Sequence, residues 1–371
     1  MTGTTKPAVD AERAKRFAST PKLHPGDRVA VVSPSARAPS AFPRVHELGL
    51  RRLRDELGLV PVEYPTTRAA HATPAERAAD LMAAFADPMV RAILATIGGD
   101  DQITVLPHLD PDVVRADPKP FVGYSDNTNL LNWLWQIGVI GYHGGSTMVH
   151  LGRGGHPHPI SVSSLGAALI DGGDLPLWAP DEFGEDEADW ADPAALDLDP
   201  PMRAHPGWTW HRPTRTVTAP TWGGNLEIVH WNLAANRWMG PVEDYRGCIL
   251  LAETSEERPS ADEVFRMFRN MGERGLLRQF SAMIVGLAKA SSFGRRSSTE
   301  RRTYRDQQRS AILRALADYH PDMMTVFDVD IGHTDPQWVL PYGGTMTIDG
   351  PARTITAHYG PSKGDPAGGI L

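Results

Sequence analysis

Four short stretches place residues able to do chemistry at the ends of apolar runs. In Gly123-Tyr124-Ser125-Asp126 the run KPFVG passes straight into a serine, and a helical pattern starts at once. A serine on such a turn has its hydroxyl exposed, and the unpaired N–H groups of the next helix favour a developing anion. The N–H of Asp126 is the natural oxyanion donor, as in hydrolase elbows, although Asn127 stands where Gly-x-Ser-x-Gly has its second glycine. The same residues also read as a Ser or Asp helix N-cap. Gly98-Gly99-Asp100-Asp101 closes a second apolar run. Its glycines let backbone approach a ligand, and the N–H of Gly98 or Gly99 is a candidate second oxyanion donor. An ordinary left-handed turn with an Asp cap is the alternative. No Walker A or dinucleotide loop is present there.

Leu250-Leu251-Ala252-Glu253 ends an apolar run in a carboxylate. Buried acids are rare unless paired, so Glu253 needs a partner such as a histidine, or else it is one of three exposed acids with Glu256 and Glu257. Gly332-His333-Thr334 offers a histidine between short strands, suited to general base work near neutral pH. His143, ending GYH, is the competing base. The HPHP run at 156–159 has metal-like residues, but its prolines read as an irregular loop, and no metal is expected. Together the stretches give the chain order Ser, Glu, His. A serine needs a base to take its proton, and the base needs an acid to orient it.

The elements that must position these residues alternate. Strands are expected at 27–36, 59–64, 90–99, 119–125 and 139–145, with helices at 42–57, 127–138 and from Pro74 onward, and a short helix at 101–107. That alternation indicates βαβ units and a mainly parallel sheet. The pattern breaks at 172–215, which is acidic, Pro-rich and studded with tryptophans; it reads as a linker or a lid packed on something. After 216 it resumes, with helices at 226–234, 261–271 and up to 318. Strands are expected again at 247–254, 280–288, 324–333, 338–343, 345–350 and 354–360. The expected organisation is an arm at 1–22, an α/β domain at 23–171 carrying the serine, the segment 172–215, and a β/α domain at 216–371 carrying Glu253 and His333.

Composition narrows the class. The chain has 371 residues, 41% hydrophobic, with a formal net charge of −8. That length suggests two domains, and that apolar content excludes wholesale disorder. The negative balance argues against a nucleic-acid polymer as partner. One cysteine, Cys248, excludes an internal disulfide framework and a Cys-based zinc site, and its apolar strand makes it inert core. No apolar run is long enough to span a membrane, and the first residues lack the apolar stretch of a secretory signal. A cytoplasmic location is therefore expected.

GDRVAVVSPS, the Gly-Gly turn, GYSD, ILLAETSEE and GHTDPQWVLPYGG occur in that order over about residues 25–360. In this the chain resembles the LD-carboxypeptidases and the microcin C immunity (MccF-like) serine peptidases. ETSEERPS, APTWGGNLEIV, PGWTW and the long acidic insert look more like the MccF-like subgroup. The resemblance implies a flavodoxin-like N-terminal domain with a parallel sheet and a smaller swivelling β/α C-terminal domain. The active site would lie between them, and homodimers are common. Carried over, Ser125 resembles the nucleophile, His333 the base and Glu253 its orienting acid, with the N–H groups of Asp126 and of Gly98 or Gly99 holding the oxyanion. Phe183 stands at a position resembling a tryptophan that stacks on a nucleobase, a contact that contributes about 1–3 kcal/mol. Trp190, Trp222 and Lys289 are further expected substrate contacts. Where the family often has Gly-Arg-Pro-Lys, this chain has Gly286-Leu287-Ala288-Lys289, and His143-Gly144-Gly145 replaces the more usual Tyr-Gly-Pro.

The expected activity is that of a cofactor-free serine peptidase or amidohydrolase. Its substrate would be the amide of a small peptidyl- or aminoacyl-nucleotide, as in microcin C detoxification. One alternative is an LD-carboxypeptidase removing terminal D-alanine from a murein tetrapeptide. Another is a non-catalytic protein that binds a ligand in its cleft.

Overall fold

The computed structural model describes residues 17–18, 20–186, 188–291 and 296–362. Most of the expected arm at 1–22 lies outside these, although Phe17 packs edge-on against Trp135 and Ala18 pairs with Val139.

Runs rich in Val, Ile and Leu build the first sheet. It takes β1 (Arg28–Val32), β2 (Val60–Glu63), β3 (Val90–Ala95), β4 (Phe121–Gly123) and β5 (Gly141–His143), all parallel, in the spatial order β2-β1-β3-β4-β5. This is the flavodoxin-like strand order, in which ligands collect at the carboxyl ends of the strands. β1 and β3 are buried almost throughout, as strands covered on both faces must be. The connections run through α1 (Ala38–Ala41), α2 (Pro43–Asp55), α3 (Pro74–Ala86), α4 (Pro111–Ala116) and α5 (Thr128–Ile137). α3 starts where Thr73 and Glu76 cap each other reciprocally and Pro74 takes the first helical position.

The expected irregular loop at 156–159 is instead the start of α6 (Pro159–Gly166). His158 caps it, its Nδ1 accepting from the Ile160 N–H, and Pro159 loses nothing there because a first-turn N–H has no helical partner. No cluster of three or more His, Cys, Asp or Glu fit to hold a metal occurs among the described residues.

The segment 172–215 has elements of its own. β6 (Asp174–Leu177) and β9 (Thr209–His211) are the two edges of a second sheet, and β7 (Glu182–Phe183) pairs with β8 (Arg203–Ala204) between them. The rest of that sheet is β10 (Thr216–Asn225), β11 (Ile249–Glu253), β12 (Ala282–Gly286), β13 (Met324–Val329), β15 (Thr345–Asp349) and β16 (Thr354–His358), in the order β6-β16-β15-β10-β11-β12-β13-β9. β10 was not among the expected strands. Its first half pairs antiparallel with β15 and its second half parallel with β11. Helices α7 (Leu226–Ala235), α8 (Ala261–Glu273) and α9 (Ser298–Tyr319) join the parallel strands. β14 (Leu340–Tyr342) leaves this sheet and adds to the first one, antiparallel to β5, with Leu340 opposite His143.

The two sheets meet in an aromatic core. Trp135 of α5 stacks on Tyr245, Tyr245 packs on Trp222, and Trp222 stacks on Phe280. Trp222 is 0% exposed, which corrects its expected role as a substrate contact. Trp222→Ala should cost about 3–5 kcal/mol of stability by leaving a large cavity. Urea unfolding of the variant against wild type checks this, and a shift within error would remove Trp222 from the core role.

Candidate active site

The carboxyl ends of the first sheet carry the expected residues. After β4, Tyr124 is extended and Ser125 turns to φ 61°, a left-handed conformation that costs a non-glycine residue energy. Buried contacts on the next two residues hold this strain. The Asp126 carboxylate is fully buried and accepts from the Ser35 hydroxyl, the Gln102 N–H at 2.9 Å and Asn129 Nδ2 at 2.8 Å. Burial pushes that carboxyl upward, against the pull of these donors. Asn127 donates to the carbonyls of Ile97 and Tyr124 at 3.1 Å each, which ties the serine turn to the Gly-Gly turn after β3. A Cβ on Gly98 would lie 2.7 Å from Ser125 Cβ and 2.8 Å from its Oγ, so the space beside the hydroxyl exists only because residue 98 has no side chain.

Glu253 ends β11 and is 2% exposed. Its Oε2 lies 2.7 Å from His333 Nδ1. Gly332 makes room for this, since a Cβ there would come within 3.0 Å of the same oxygen. The His333 ring tilts against the Tyr124 ring, with centroids 4.9 Å apart. The structure therefore brings Glu253 and His333 together, against the residue preceding Ser125. Among the described residues no hydrogen bond joins Ser125 Oγ to His333. Nε2 instead lies 3.2 Å from Glu256 Oε2. Burial lowers the His333 pKa, but the charge and hydrogen bond of Glu253 and the charge of Glu256 outweigh it and raise the pKa to about 9.

His143 does not compete as a base. It is fully buried, its Nε2 donates to the Ile331 carbonyl at 2.9 Å, and burial pushes its pKa down. Its place is to hold the chain just ahead of His333. Gln337 does the same from the other side, accepting from the Gly145 N–H at 2.8 Å and donating to the Gly332 carbonyl at 2.7 Å.

A cavity of about 330 Å³ opens beside His333, lined among others by His150, Arg153, Glu185, Trp190 and Lys289. Its far wall is the 184–201 stretch of the long segment. That wall is fastened to the His333 loop. Gly184 and Asp335 exchange backbone hydrogen bonds, and Arg153 bridges Asp335 at 2.7 Å and Asp199 at 2.6 Å. Trp208 donates to Asp330 at 3.1 Å. Trp190 and Lys289 thus face the expected cavity, whereas Phe183 does not. Phe183 is 3% exposed, lies edge-on to His205 and has the Arg305 guanidinium over its ring, so no open face remains for a base to stack on. Cys248 is buried in the core beside β11.

Two residues of the site escape the sequence analysis. Glu256 sits in the ETSEE stretch, where consecutive acids look like a solvated strand end. Glu227 is the one acid of helix α7, set between Leu226 and Ile228, and that placement is the signal that could have found it. It accepts from the Ser255 N–H at 2.9 Å and the Ser255 hydroxyl at 2.8 Å, fixing the turn between Glu253 and Glu256. Burial and the charge of Glu253 push the Glu227 carboxyl up to about 7.

Comparison with known proteins agrees with this architecture. The LD-carboxypeptidase N-terminal domain matches residues 29–144 and the LD-carboxypeptidase C-terminal domain residues 218–348. A putative carboxypeptidase of Vibrio cholerae is 28% identical over 334 residues, 87% of this chain and 92% of its own. The microcin C7 self-immunity protein MccF of Escherichia coli is 27% identical over 287 residues, 76% of this chain and 77% of its own. The solved structure of wild-type MccF without ligand superposes with a TM-score of 0.79 at 24% identity, covering 92% of this chain and 98% of that one. With both of its domains matched in order, the chain belongs to the LD-carboxypeptidase family.

Proposed function

We infer that the protein is a serine-type amidohydrolase that cleaves the amide of an aminoacyl- or peptidyl-nucleotide. The observation that carries the reading is the buried Glu253–His333 pair lying against a strained serine turn. Burial without exchange with water suits a group that must keep one orientation while its charge changes. The nucleotide half of the reading draws on relatives. MccF has been solved with glutamyl sulfamoyl guanosine and with aspartyl sulfamoyl adenosine. The cavity beside His333, with Trp190 in its wall, offers room for such a group.

In this mechanism Ser125 Oγ attacks the carbonyl carbon while His333 Nε2 takes the hydroxyl proton. The oxyanion of the tetrahedral intermediate accepts from the N–H of Asp126 and of Gly98 or Gly99. His333 returns the proton to the leaving nitrogen and the C–N bond breaks. Water, deprotonated by the same imidazole, then releases the acyl group from Ser125. Glu253 stabilises the imidazolium formed in each half.

A relative described as a probable murein peptide carboxypeptidase of Bacillus subtilis is 25% identical over 356 residues, which makes a murein tetrapeptide the second substrate to try. Mass spectrometry of products from aspartyl sulfamoyl adenosine and from the tetrapeptide, with wild type and Ser125→Ala, decides between them. Release of free aspartate by wild type but not by the variant is the expected result. Loss of D-alanine from the tetrapeptide alone would move the protein to cell-wall peptides, and release that survives Ser125→Ala would remove Ser125 as nucleophile.

The base must be neutral to act, and the His333 pKa is raised to about 9. Toward an N-acetylated substrate, which has no ammonium of its own to titrate, the kcat/KM of wild type should therefore climb from neutral pH to a plateau above about pH 9, because the neutral ring is populated only above its pKa. A plateau already reached at pH 7 would contradict this. Gly98→Ala should lower kcat about a hundredfold by displacing Ser125 Oγ, and the same clash should cost about 1–3 kcal/mol of stability, read by urea unfolding. An unchanged kcat would show that the Gly98 turn does not border the reacting atoms.

A further inference from the structure

The His333 ring has a carboxylate on each nitrogen. Glu253 holds Nδ1 at 2.7 Å and Glu256 holds Nε2 at 3.2 Å. The two acids differ in access. The Glu253 side chain is 1% exposed, the His333 side chain 6%, and the Glu256 side chain 51%. Orienting a base needs one acid, and Glu253 already supplies it. A second acid on Nε2 works against the reaction, because that nitrogen must face the serine proton. A contact that occupies the reacting atom and is open to solvent is one that a ligand can exchange.

The ligand group able to take Glu256 is a cation, and the substrate supplies it at the right place. In an aminoacyl compound the α-ammonium is two bonds from the scissile carbonyl carbon. With that carbon beside Ser125 and His333, the ammonium falls near the carboxylate that caps Nε2. We propose that Glu256 is a specificity-determining residue that caps His333 Nε2 in the empty site and passes to the α-ammonium of an aminoacyl substrate, freeing Nε2 to face Ser125. This role rests on the serine amidohydrolase reading. It selects compounds with a free amino group over those whose amino group is acylated, since an amide N–H carries no charge to pair with Glu256.

The charges around the ring are consistent with a displaceable cap. Glu253 faces it from β11, Glu256 from the following turn, and Lys289 from the stretch after β12. His143 at the end of β5 and His150 on the 147–151 turn act on it at longer range, and Tyr124 packs on its face. Burial raises the Glu256 carboxyl, but the charge of His333, a hydrogen bond from its own backbone N–H and then the charge of Lys289 outweigh this and hold it below its ordinary value. It is thus ionised and available to an incoming ammonium throughout the neutral range.

The first test needs no turnover. In Ser125→Ala protein the His333 ring is titrated by NMR alone, with isopropylamine, whose alkylammonium stays charged past pH 10 as a lysine's does, and with N-isopropylacetamide. Isopropylamine should lower the His333 midpoint by occupying Glu256, and the acetylated probe should not. Glu256→Gln should lower the midpoint without any probe and abolish the response. The second test compares hydrolysis of alanyl sulfamoyl adenosine with that of its N-acetyl form. Wild type should favour the free amine by about tenfold or more, the size of a charge-assisted contact. Glu256→Gln should bring that ratio near one and move the rise of kcat/KM to lower pH, and Glu256→Asp, which keeps the charge, should restore part of the preference. An unchanged ratio and pH profile in Glu256→Gln protein of normal unfolding midpoint would overturn the proposal, as would a His333 midpoint blind to isopropylamine. Absence of hydrolysis of both compounds with the NMR response intact would overturn the amidohydrolase reading and leave the role of Glu256 on His333 standing.

Discussion

The arrangement depends on a short piece of antiparallel pairing. β14, only Leu340–Tyr342, leaves the C-terminal sheet and lies along β5 of the first. Because the pairing is antiparallel, its beginning sits at the carboxyl end of β5, with Leu340 opposite His143. The loop just before it carries His333. A residue late in the chain is thereby delivered to the strand ends from which Ser125 projects. His143 and Gln337 fasten the loop at Ile331 and Gly332, so the position of the ring is set by backbone that is held at the two residues just ahead of it. Preorganisation of this kind lets a buried histidine change charge without its surroundings rearranging.

The second constraint is electrostatic. A buried imidazolium is tolerated only with a partner, and Glu253 is that partner. Removing one member of a buried pair typically costs about 3–5 kcal/mol, because the other charge is left stranded. The glycine at 332 is the geometric condition for the pair, since any side chain would intrude on the shared oxygen. The raised His333 pKa has a stability consequence of definite sign. The pair contributes stability that is complete below the ordinary histidine pKa of 6.5 and is lost as pH rises through about 9.

Much of this was legible in the sequence because the informative residues punctuate strands. Apolar runs ending in Gly98, Ser125 and His143 announce the carboxyl ends of one parallel sheet, and the run ending in Glu253 that of a parallel strand in the second, where chemistry belongs. What was not legible has physical causes. Residue type alone does not say whether a tryptophan is core or surface, and Trp222 became core because α5 and the turn before β12 bring Trp135 and Phe280 to the same place. Phe183 occupies a position that resembles a stacking site, but Arg305, more than a hundred residues later, covers its ring. Pro159 signalled a break and is a helix start, because its neighbour His158 could serve as the cap. β10 hides because threonine, proline and paired glycines dilute its apolar signal, and because its two halves pair in opposite senses. Glu256 was indistinguishable from Glu257 until the fold placed one of them on a histidine.

The long acidic segment enters and leaves the second sheet at opposite edges, as β6 and β9, and crosses the cavity between them. Its fasteners, Gly184 on Asp335 and Trp208 on Asp330, grip the chain on both sides of His333. Roof and imidazole are therefore one mechanical part. Lifting the roof far enough to break these contacts would also loosen the backbone that holds the imidazole, so on the proposed mechanism an open protein would have a misaligned base. On the proposed mechanism a ligand would therefore react only with the wall seated.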